Sequence, residues 1–342
     1  MAAHTNAPRQ RSLVLRTRPS GDPLPEDFEM VETPIPVPGP GEVVTRTIWL
    51  SVDPYQRGRL ADRVSYSPPV QIGETMTGEN VGEVIASNDP GLAVGDVVSG
   101  ARGWQTHSLS KAAGLTKLDR AAAPLQAALG VLGMPGTTAY SGMKDIGQVK
   151  AGETVVISAA SGAVGSVAGQ LAKRAGARVI GIAGGPEKCL WVQETLRFDD
   201  CVDHHLPHLG RALAEACPKG IDVYFENVGG AVQDAVFPLL NPFARVIMCG
   251  MISQYNDAIP PPGPNLGFVV GKRVRIEGLI VSDKPERFAE WRALASPWVN
   301  DGSLHYRETI IDGLENAPQA LSMVLSGGNF GKMLVRIGQD RV

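Results

Sequence analysis

The sequence lacks a strong excess of charge of either sign and has no long apolar run. Its 342 residues carry a formal net charge of -3, which argues against the basic surface of a nucleic-acid-binding protein. No apolar segment approaches the roughly 20 residues of a membrane-spanning helix. The first residues, MAAHTNAPRQR, have no apolar core of a signal peptide. We therefore expect a cytoplasmic protein that binds neither nucleic acid nor membrane.

Cysteine is also scarce, with only four residues in the chain. Cys189, Cys201, Cys217 and Cys249 all lie in the second half, and none of them is in C-x-x-C spacing. This pattern argues against both a disulfide framework and a cysteine zinc site. The simplest interpretation is four thiols packed in a core.

The pattern of strands and helices changes twice along the chain, whose length suggests two domains. The first part alternates short β-type runs with proline and glycine turns, which is typical of a compact antiparallel β domain. After Gly152 strands alternate with helices, which predicts a parallel sheet, and β runs return near the end. We predict an α/β protein in which a doubly wound domain (135–301) is inserted into a β-rich domain (1–134 and 302–342).

The predicted elements are as follows. In the first part, strands are expected at 12–18, 28–33, 42–51, 80–86, 96–100 and 115–118, and helices at 124–132 and 138–144. In the second part, strands are expected at 154–160, 177–183, 201–204, 223–227, 245–249 and 274–281, with helices at 163–175, 187–196, 208–217, 232–240 and 285–299. In the third part, strands at 306–311 and 332–337 flank a helix at 317–325.

The stretch Val155–Lys173 predicts a buried strand, a glycine turn and an amphipathic helix in immediate succession. A helix that starts directly after a strand presents unpaired N–H groups and its positive dipole end to an anion. Gly162 and Gly165 allow the backbone to approach that anion closely, as in a pyrophosphate site. The motif A-x-x-G-x-x-G is one glycine short of the full dinucleotide fingerprint. Glycines that serve only close helix packing are the alternative.

The next strand ends in GIAGGPEKC, at the position where an NAD enzyme places an acidic residue on the ribose. Gly184 and Gly185 stand there instead, and Lys188 follows in the first turn of the next helix. A lysine beside an open glycine tip suits the 2′-phosphate of NADP, which would repel a carboxylate. Glu187 is a contrary sign, but an acid beside Pro186 is also explained by the helix dipole. We predict NADP; a solvated surface lysine is the alternative for Lys188.

Three histidines, His204, His205 and His208, follow the third strand beside Asp203 and invite a metal interpretation. Neighbouring strand residues point to opposite faces, however, and Pro207 interrupts the spacing, so we predict no metal site. We instead place His204 at the carboxyl edge of the sheet against the adenosine phosphate. An exposed loop histidine is the alternative.

The fourth and fifth strands end in YFENVGG and CGMISQYN, at the edge where ligands of doubly wound sheets bind. Asn227 is a polar residue at a strand tip, which suits a ribose or a phosphate. Tyr255 lies on the loop expected to pass the nicotinamide, and its phenol could stabilise negative charge on a carbonyl oxygen. A packed aromatic with its hydroxyl in water is the alternative for this tyrosine.

Taken in order, these motifs resemble the medium-chain dehydrogenase/reductase superfamily. The blocks that carry the resemblance are LSVDPYQRGR (50–59), GMPGTTAY (133–140), AASGAVGSVAGQLAK (159–173), AGGPEK (183–188), FENVGG (225–230), CGMISQYN (249–256), PPPGP (260–264) and GGNFGKMLV (327–335). Within the superfamily, the chain is similar to the zinc-independent branch of leukotriene dehydrogenase/prostaglandin reductases, alkenal double-bond reductases and curcumin reductases. The similarity covers nearly the whole chain.

The resemblance implies a GroES-like catalytic domain around an NADPH-binding Rossmann domain, usually in a homodimer. It implies that the pyrophosphate lies on the turn Gly162, Ala163, Val164, Gly165 and the 2′-phosphate on Lys188. It assigns other parts of NADPH to Asn227, Cys249, Gly250, Met251, Ile252, Ser253 and Asn329, and the nicotinamide to Leu279, Ile280 and Val281. Tyr55 and Tyr255 would face the substrate.

Two departures from the family pattern matter. His204 stands where a tyrosine usually helps to bind the 2′-phosphate, and residues 267–270 replace a stretch that varies across the family. In addition, the cysteine and the G-H-E motif of the zinc alcohol dehydrogenases are absent from VDPYQRG and MTGEN. Polarisation of a substrate carbonyl is therefore expected to come from hydrogen bonds rather than a metal.

We therefore expect an NADPH-dependent enzyme that reduces the C=C bond of α,β-unsaturated ketones or aldehydes. Hydride would add to the β carbon, and Tyr255 would stabilise the enolate. An NADPH:quinone oxidoreductase is the alternative among enzymes. A non-catalytic NADPH-binding protein is the alternative of a different class, which the presence of both Tyr55 and Tyr255 disfavours.

Overall fold

The computed structural model describes residues 8–259 and 261–340. The strands, in chain order, are β1 (Arg9–Leu15), β2 (Phe28–Pro34), β3 (Glu42–Val52), β4 (Glu79–Ser87), β5 (Val97–Ala101), β6 (His107–Lys111), β7 (Thr116–Leu118), β8 (Thr154–Ser158), β9 (Arg178–Ala183), β10 (Asp200–Asp203), β11 (Ile221–Glu226), β12 (Leu240–Met248), β13 (Arg275–Gly278), β14 (Glu308–Asp312) and β15 (Lys332–Arg336). The α-helices are α1 (Tyr55–Arg59), α2 (Met134–Ser141), α3 (Gly165–Arg174), α4 (Pro186–Glu194), α5 (Leu209–Ala216), α6 (Gly230–Val236), α7 (Gly267–Lys272), α8 (Glu286–Asn300) and α9 (Ala317–Leu325).

The chain forms two compact units. Unit 1 comprises the chain up to Leu129, Thr309–Asn329 and the residues from Met333 onward, and unit 2 comprises Gly130–Glu308 with Phe330–Lys332. The predicted fold class, a β-rich domain and a doubly wound parallel-sheet domain, is confirmed. The division after residues 134 and 301 stays a prediction.

Unit 1 is built on a seven-stranded sheet in the order β14-β15-β3-β4-β5-β7, with β6 also paired to β3. Strand β3 is the long central element, and its run VVTRTIWLSV is buried at all but one residue. Its β-branched and aromatic side chains suit a strand that is covered on both faces. Two apolar clusters result, one around Ile48 and Leu334 and the other around Val43 and Val98.

Unit 2 contains six strands in the order β10-β9-β8-β11-β12-β13, and all of their pairings are parallel. The inner strand β8 is buried along its whole length, as its sequence TVVIS predicts. The largest core cluster of this unit packs α5 and α6 against the sheet through residues such as Leu213, Val236 and Tyr224. All six carboxyl ends lie along one edge because the strands are parallel.

Several elements differ from the prediction. The helix predicted at 124–132 is a 3₁₀-helix, Leu125–Leu129, and helix α7 was not predicted. Strand β6 was not predicted, because its sequence HSLSK is polar; its Ser108 hydroxyl meets the Thr45 hydroxyl of β3 at 2.9 Å inside the sheet. Helix α1 was not predicted, because it has only five residues and includes two arginines. The helix predicted at 138–144 is divided between α2 and a π-helical turn, Gly142–Gly147.

Two further observations bear on the sequence-based expectations. None of the helices in the described part of the chain is long and apolar enough to cross a membrane. Pro260, the first residue of the PPPGP block, lies outside the described residues.

Candidate functional site

The carboxyl edge of the unit 2 sheet brings most of the predicted site residues into one row. The turn 162–165 follows β8, Lys188 lies on α4 after β9, His204 follows β10, Asn227 follows β11, the run 249–253 follows β12, and the run 279–281 follows β13. Tyr255 lies farther along the loop after β12. Tyr55 and Asn329 belong to unit 1.

The turn between β8 and α3 is shaped for close approach of a ligand to the backbone. Ala159 has a positive φ of 49°, and its carbonyl oxygen accepts the N–H of Gly162 at 2.9 Å. A Cβ atom on Gly165 would stand 2.3 Å from that same oxygen, so only glycine fits at the first residue of α3. No side chain caps α3. The positive end of a ten-residue helix therefore faces the edge of the sheet.

The first glycine of the motif is held by a segment from the end of the chain. Gly162 and Gly331 form a parallel β-bridge within unit 2. The N–H of Lys332 donates to the carbonyl oxygen of Arg307 at 2.8 Å, and the Arg307 guanidinium lies 3.9 Å from the centroid of the Phe330 ring. The block GGNFGK thus places Phe330–Lys332 beside the glycine turn.

At the tip of β9, a side chain on Gly184 would have to displace two imidazole rings. A Cβ atom on Gly184 would stand 2.9 Å from Nε2 of His204 and 3.2 Å from Cε1 of His205. Lys188 is half-buried nearby, and this burial lowers the pKa of its ammonium group. A bound phosphate would restore part of the stabilisation that the ammonium loses with water. A glycine tip, a lysine and imidazoles in place of a carboxylate fit the 2′-phosphate of NADP.

The turn after β10 is ordered by one carboxylate. Asp203 Oδ1 accepts the N–H of Gly185 at 3.0 Å, the N–H of His205 at 3.0 Å and, at 2.9 Å, lies beside Nδ1 of the His205 ring. Burial opposes ionisation of this carboxyl, but the hydrogen bonds prevail and lower the pKa of Asp203. His204 is exposed, and partial desolvation of its ring, followed by the neighbouring His205, lowers its pKa.

Sequence reasoning missed the residues that organise the middle of the edge, Ser158 and Glu226. Glu226 is fully buried, and its Oε1 accepts the Ser158 hydroxyl at 3.0 Å and the N–H groups of Val228 and Gly229 at 2.7 and 3.0 Å. The Ser158 hydroxyl also accepts the N–H of Asn227 at 2.7 Å. The only signal in the sequence is a single carboxylate that ends the apolar run VYFE. Spacing alone does not reveal its partner on β8.

The side chain of Asn227, like its backbone N–H, bonds to Ser158 at the end of β8. Its Nδ2 donates to the carbonyl oxygen of Ser158 at 2.8 Å, so the amide spans the ends of β8 and β11. Its own carbonyl oxygen accepts the N–H of Ile252 at 3.1 Å, which connects it to the loop after β12. The three strand ends therefore form one hydrogen-bonded network.

In the loop after β12, the side chain of Tyr255 bonds to the backbone of an earlier residue of the same loop. The N–H groups of Cys249 and Gly250 donate to the carbonyl oxygen of Glu226 at 2.9 and 3.1 Å. The Tyr255 hydroxyl accepts the N–H of Met251 at 3.2 Å, which fixes the phenol at this edge. Burial, assisted by the charge of Glu226, raises the pKa of Cys249 to about 12, so this thiol stays protonated and is a poor nucleophile.

Tyr55, at the start of α1 in unit 1, is the other predicted phenol. Burial and the neighbouring carboxylates of Asp53 and Glu79 raise its pKa well above the usual value, although Arg59 opposes the shift. The Arg59 guanidinium lies 5.7 Å from the centroid of the Tyr55 ring. This phenol is therefore protonated at neutral pH and able to donate a hydrogen bond.

Known families match both parts of the chain. Residues 11–118 match a family described as an N-terminal domain of oxidoreductase, and residues 163–300 match one described as a zinc-binding dehydrogenase. Within residues 8–259 and 261–340, no group of three or more His, Cys, Asp or Glu side chains is arranged to hold a metal ion.

Individual relatives match over almost the full length. The NADPH-dependent curcumin reductase of Escherichia coli is 49% identical over 97% of this chain and 98% of its own length. The NADP(+)-dependent 2-alkenal reductase of Nicotiana tabacum is 38% identical over 96% of this chain and 98% of its own. The crystal structure of CurA from Vibrio vulnificus in complex with NADPH has a TM-score of 0.92 and 46% identity, covering 96% of this chain and 100% of that one.

Replacing Ser158 by Ala tests the network at the centre of the edge. We expect Ser158→Ala to lower the free energy of unfolding by about 1–3 kcal/mol, because the buried N–H of Asn227 and the Glu226 carboxylate each lose a partner. Ser296→Ala is the matched control, since that hydroxyl donates only within its own helix, to the Arg292 carbonyl at 2.7 Å. Urea unfolding measures both variants, and equal losses would contradict the role given to Ser158.

Proposed function

The chain belongs to the medium-chain dehydrogenase/reductase superfamily, in its zinc-independent branch, and we propose that it is an NADPH-dependent reductase of α,β-unsaturated ketones or aldehydes. The enzyme would saturate the C=C bond of its substrate. The observation that carries the proposal is the agreement over 97% of the chain with an NADPH-dependent curcumin reductase. The carboxylate-free tip of β9 supports NADPH over NADH independently, since it rests on the position of Gly184 beside two imidazoles.

In this proposal, each strand end binds one part of the cofactor. The turn 162–165 holds the pyrophosphate, and Lys188 with His204 holds the 2′-phosphate. Asn227, the run 249–253, the run 279–281 and Asn329 hold the remaining parts. The uncapped helix α3, the half-buried Lys188 and the ordered loop after β12 support this assignment. Bound NADPH supplies a hydride for the β carbon of the substrate.

Tyr255 is the proposed catalytic residue. Its hydroxyl oxygen accepts the Met251 N–H at the carboxyl edge of the sheet, and a phenol is a group that can donate a hydrogen bond to a substrate oxygen. A hydrogen bond to that oxygen strengthens as the oxygen gains enolate charge, so it stabilises the transition state more than the bound substrate. Tyr255 or water then delivers a proton to the α carbon. Tyr55 is proposed as a second substrate-binding residue on the resemblance alone.

The function is tested by following the oxidation of NADPH and NADH with a panel of alkenals, cyclic enones, long-chain enones and quinones. We expect NADPH to be oxidised by enals or enones with equimolar saturated product, and NADH to react more slowly. One-electron semiquinone formation without C=C saturation would instead identify a quinone oxidoreductase. NADPH that binds but is not oxidised by any compound would identify a non-catalytic NADPH-binding protein.

The role of Tyr255 is tested by Tyr255→Phe. We expect kcat on enones to fall about 100-fold, while the Kd of NADPH changes less than about threefold, because only the stabilisation of the reacting oxygen is lost. Tyr140→Phe is the matched control, since the Tyr140 hydroxyl bonds to Lys144 at 2.9 Å on an exposed surface. An unchanged kcat in Tyr255→Phe would remove Tyr255 from the reaction.

We also propose a homodimer and a cytoplasmic location. The outer strand β13 of the parallel sheet supports a dimer, because one of its edges is not paired within the described chain and an edge strand can pair with a second copy. Ile276 on this strand and Val270 on α7 are exposed apolar residues, at 37% and 79%. Such residues suit an interface better than water.

Sedimentation equilibrium tests the dimer. We expect the purified chain to sediment as a dimer, and Ile276→Lys to shift it toward monomer, because a lysine on an edge strand opposes pairing. Val37→Lys is the control, since Val37 is 85% exposed and lies in unit 1. A monomeric wild-type chain would overturn this part of the proposal.

A further inference from the structure

Two adjacent imidazoles stand over the tip of β9. The ring centroids of His204 and His205 are 4.1 Å apart, and both rings lie within 3.2 Å of the position that a Gly184 side chain would occupy. Neighbouring residues on a regular strand would point to opposite faces. Here β10 ends at Asp203, and the turn that follows brings both rings to the same side. This arrangement was not visible in the sequence pattern.

One carboxylate and one lysine lie beside the imidazole pair. Asp203 faces the pair from β10 and Lys188 faces it from α4, while the turn after β9 contributes only glycines. The Asp203 carboxylate is already engaged by two backbone N–H groups and by His205 Nδ1. A cationic pair would therefore be only partly neutralised, which leaves it able to attract an anion.

We propose that His205, together with His204, is a specificity-determining residue for the 2′-phosphate, and that the pair takes up one proton from solvent when the phosphate binds. This inference rests on the proposed NADPH dependence and extends it, because it adds His205 to the site and makes the preference for NADPH depend on pH.

The sign of the pH dependence follows from charge. In the free protein, partial desolvation of the largely exposed ring and the neighbouring imidazole lower the pKa of His204, which favours its neutral form. A phosphate dianion favours the protonated imidazole and so raises the imidazole pKa in the complex. The additional affinity is then present at low pH and is lost as the pH rises through the pKa of the complex.

The probe is adenosine 2′,5′-bisphosphate, compared with adenosine 5′-monophosphate on the full-length protein by isothermal titration calorimetry. The preference for the bisphosphate is the Kd of the monophosphate divided by the Kd of the bisphosphate. We expect this preference to fall about fivefold or more between about pH 6.5 and pH 8.5. The binding enthalpy of the bisphosphate near pH 7.5, measured in buffers of different ionisation enthalpy, should show that the complex takes up a proton. Deprotonation of the free phosphate, with a second pKa of about 6, would change affinity in the opposite direction.

Three variants separate the imidazole pair from other charges. His204→Gln and His205→Gln should each remove most of the proton uptake and flatten the pH dependence. His208→Gln, at an exposed histidine in the same segment, should leave both unchanged. Circular dichroism verifies that each variant is folded.

The outcomes distinguish this inference from the proposed function. A strong preference for the bisphosphate that does not vary with pH would overturn the inference and leave NADPH dependence intact. A pH dependence that survives both substitutions would also overturn it. No preference for the bisphosphate at any pH would remove the 2′-phosphate site itself, and with it the proposed cofactor.

Discussion

The candidate site depends on the hydrogen bonds of one buried carboxylate, Glu226. Burying a carboxylate without hydrogen-bond partners is unfavourable in free energy. The groups that bond to a buried carboxylate are therefore strongly constrained in position. Oε1 holds Ser158 at the end of β8 and two N–H groups at the start of α6, while the backbone carbonyl of the same residue holds the first N–H groups of the loop after β12. One residue thereby aligns three neighbouring strand ends.

The other half of the edge depends on a glycine and on a second carboxylate, Asp203. At Gly184 the missing side chain leaves room for two imidazoles, and Asp203 holds the one that belongs to His205. Near the sheet centre a negative charge orders the backbone, and at the β9 tip a protonatable group takes the place of the acid found in NAD enzymes. The same edge thus combines a hydrogen-bonded central network with an outer corner that carries two imidazoles.

Much of the fold could be predicted because hydrophobic periodicity reflects burial directly. The wholly buried β8 and the amphipathic α3 lie within about two residues of their predicted ends, and α9 is found at its predicted residues. Two of the elements that were not predicted are held by polar contacts. Strand β6 is stabilised by a hydroxyl pair and by β3, and α1 by arginines that bond to loop carbonyls, as Arg57 does to Gly21 at 3.0 Å. Neither leaves an apolar pattern.

The sequence by itself determined the order of strands and helices, the glycine turn and the absence of an acid at the tip of β9, because each of these is a property of neighbouring residues. Only the tertiary structure decided that Glu226 meets Ser158, 68 residues earlier, and that His204 and His205 face the same side. The physical reason is that hydrogen bonds between strands depend on sheet order and on the geometry of turns, which local periodicity does not contain.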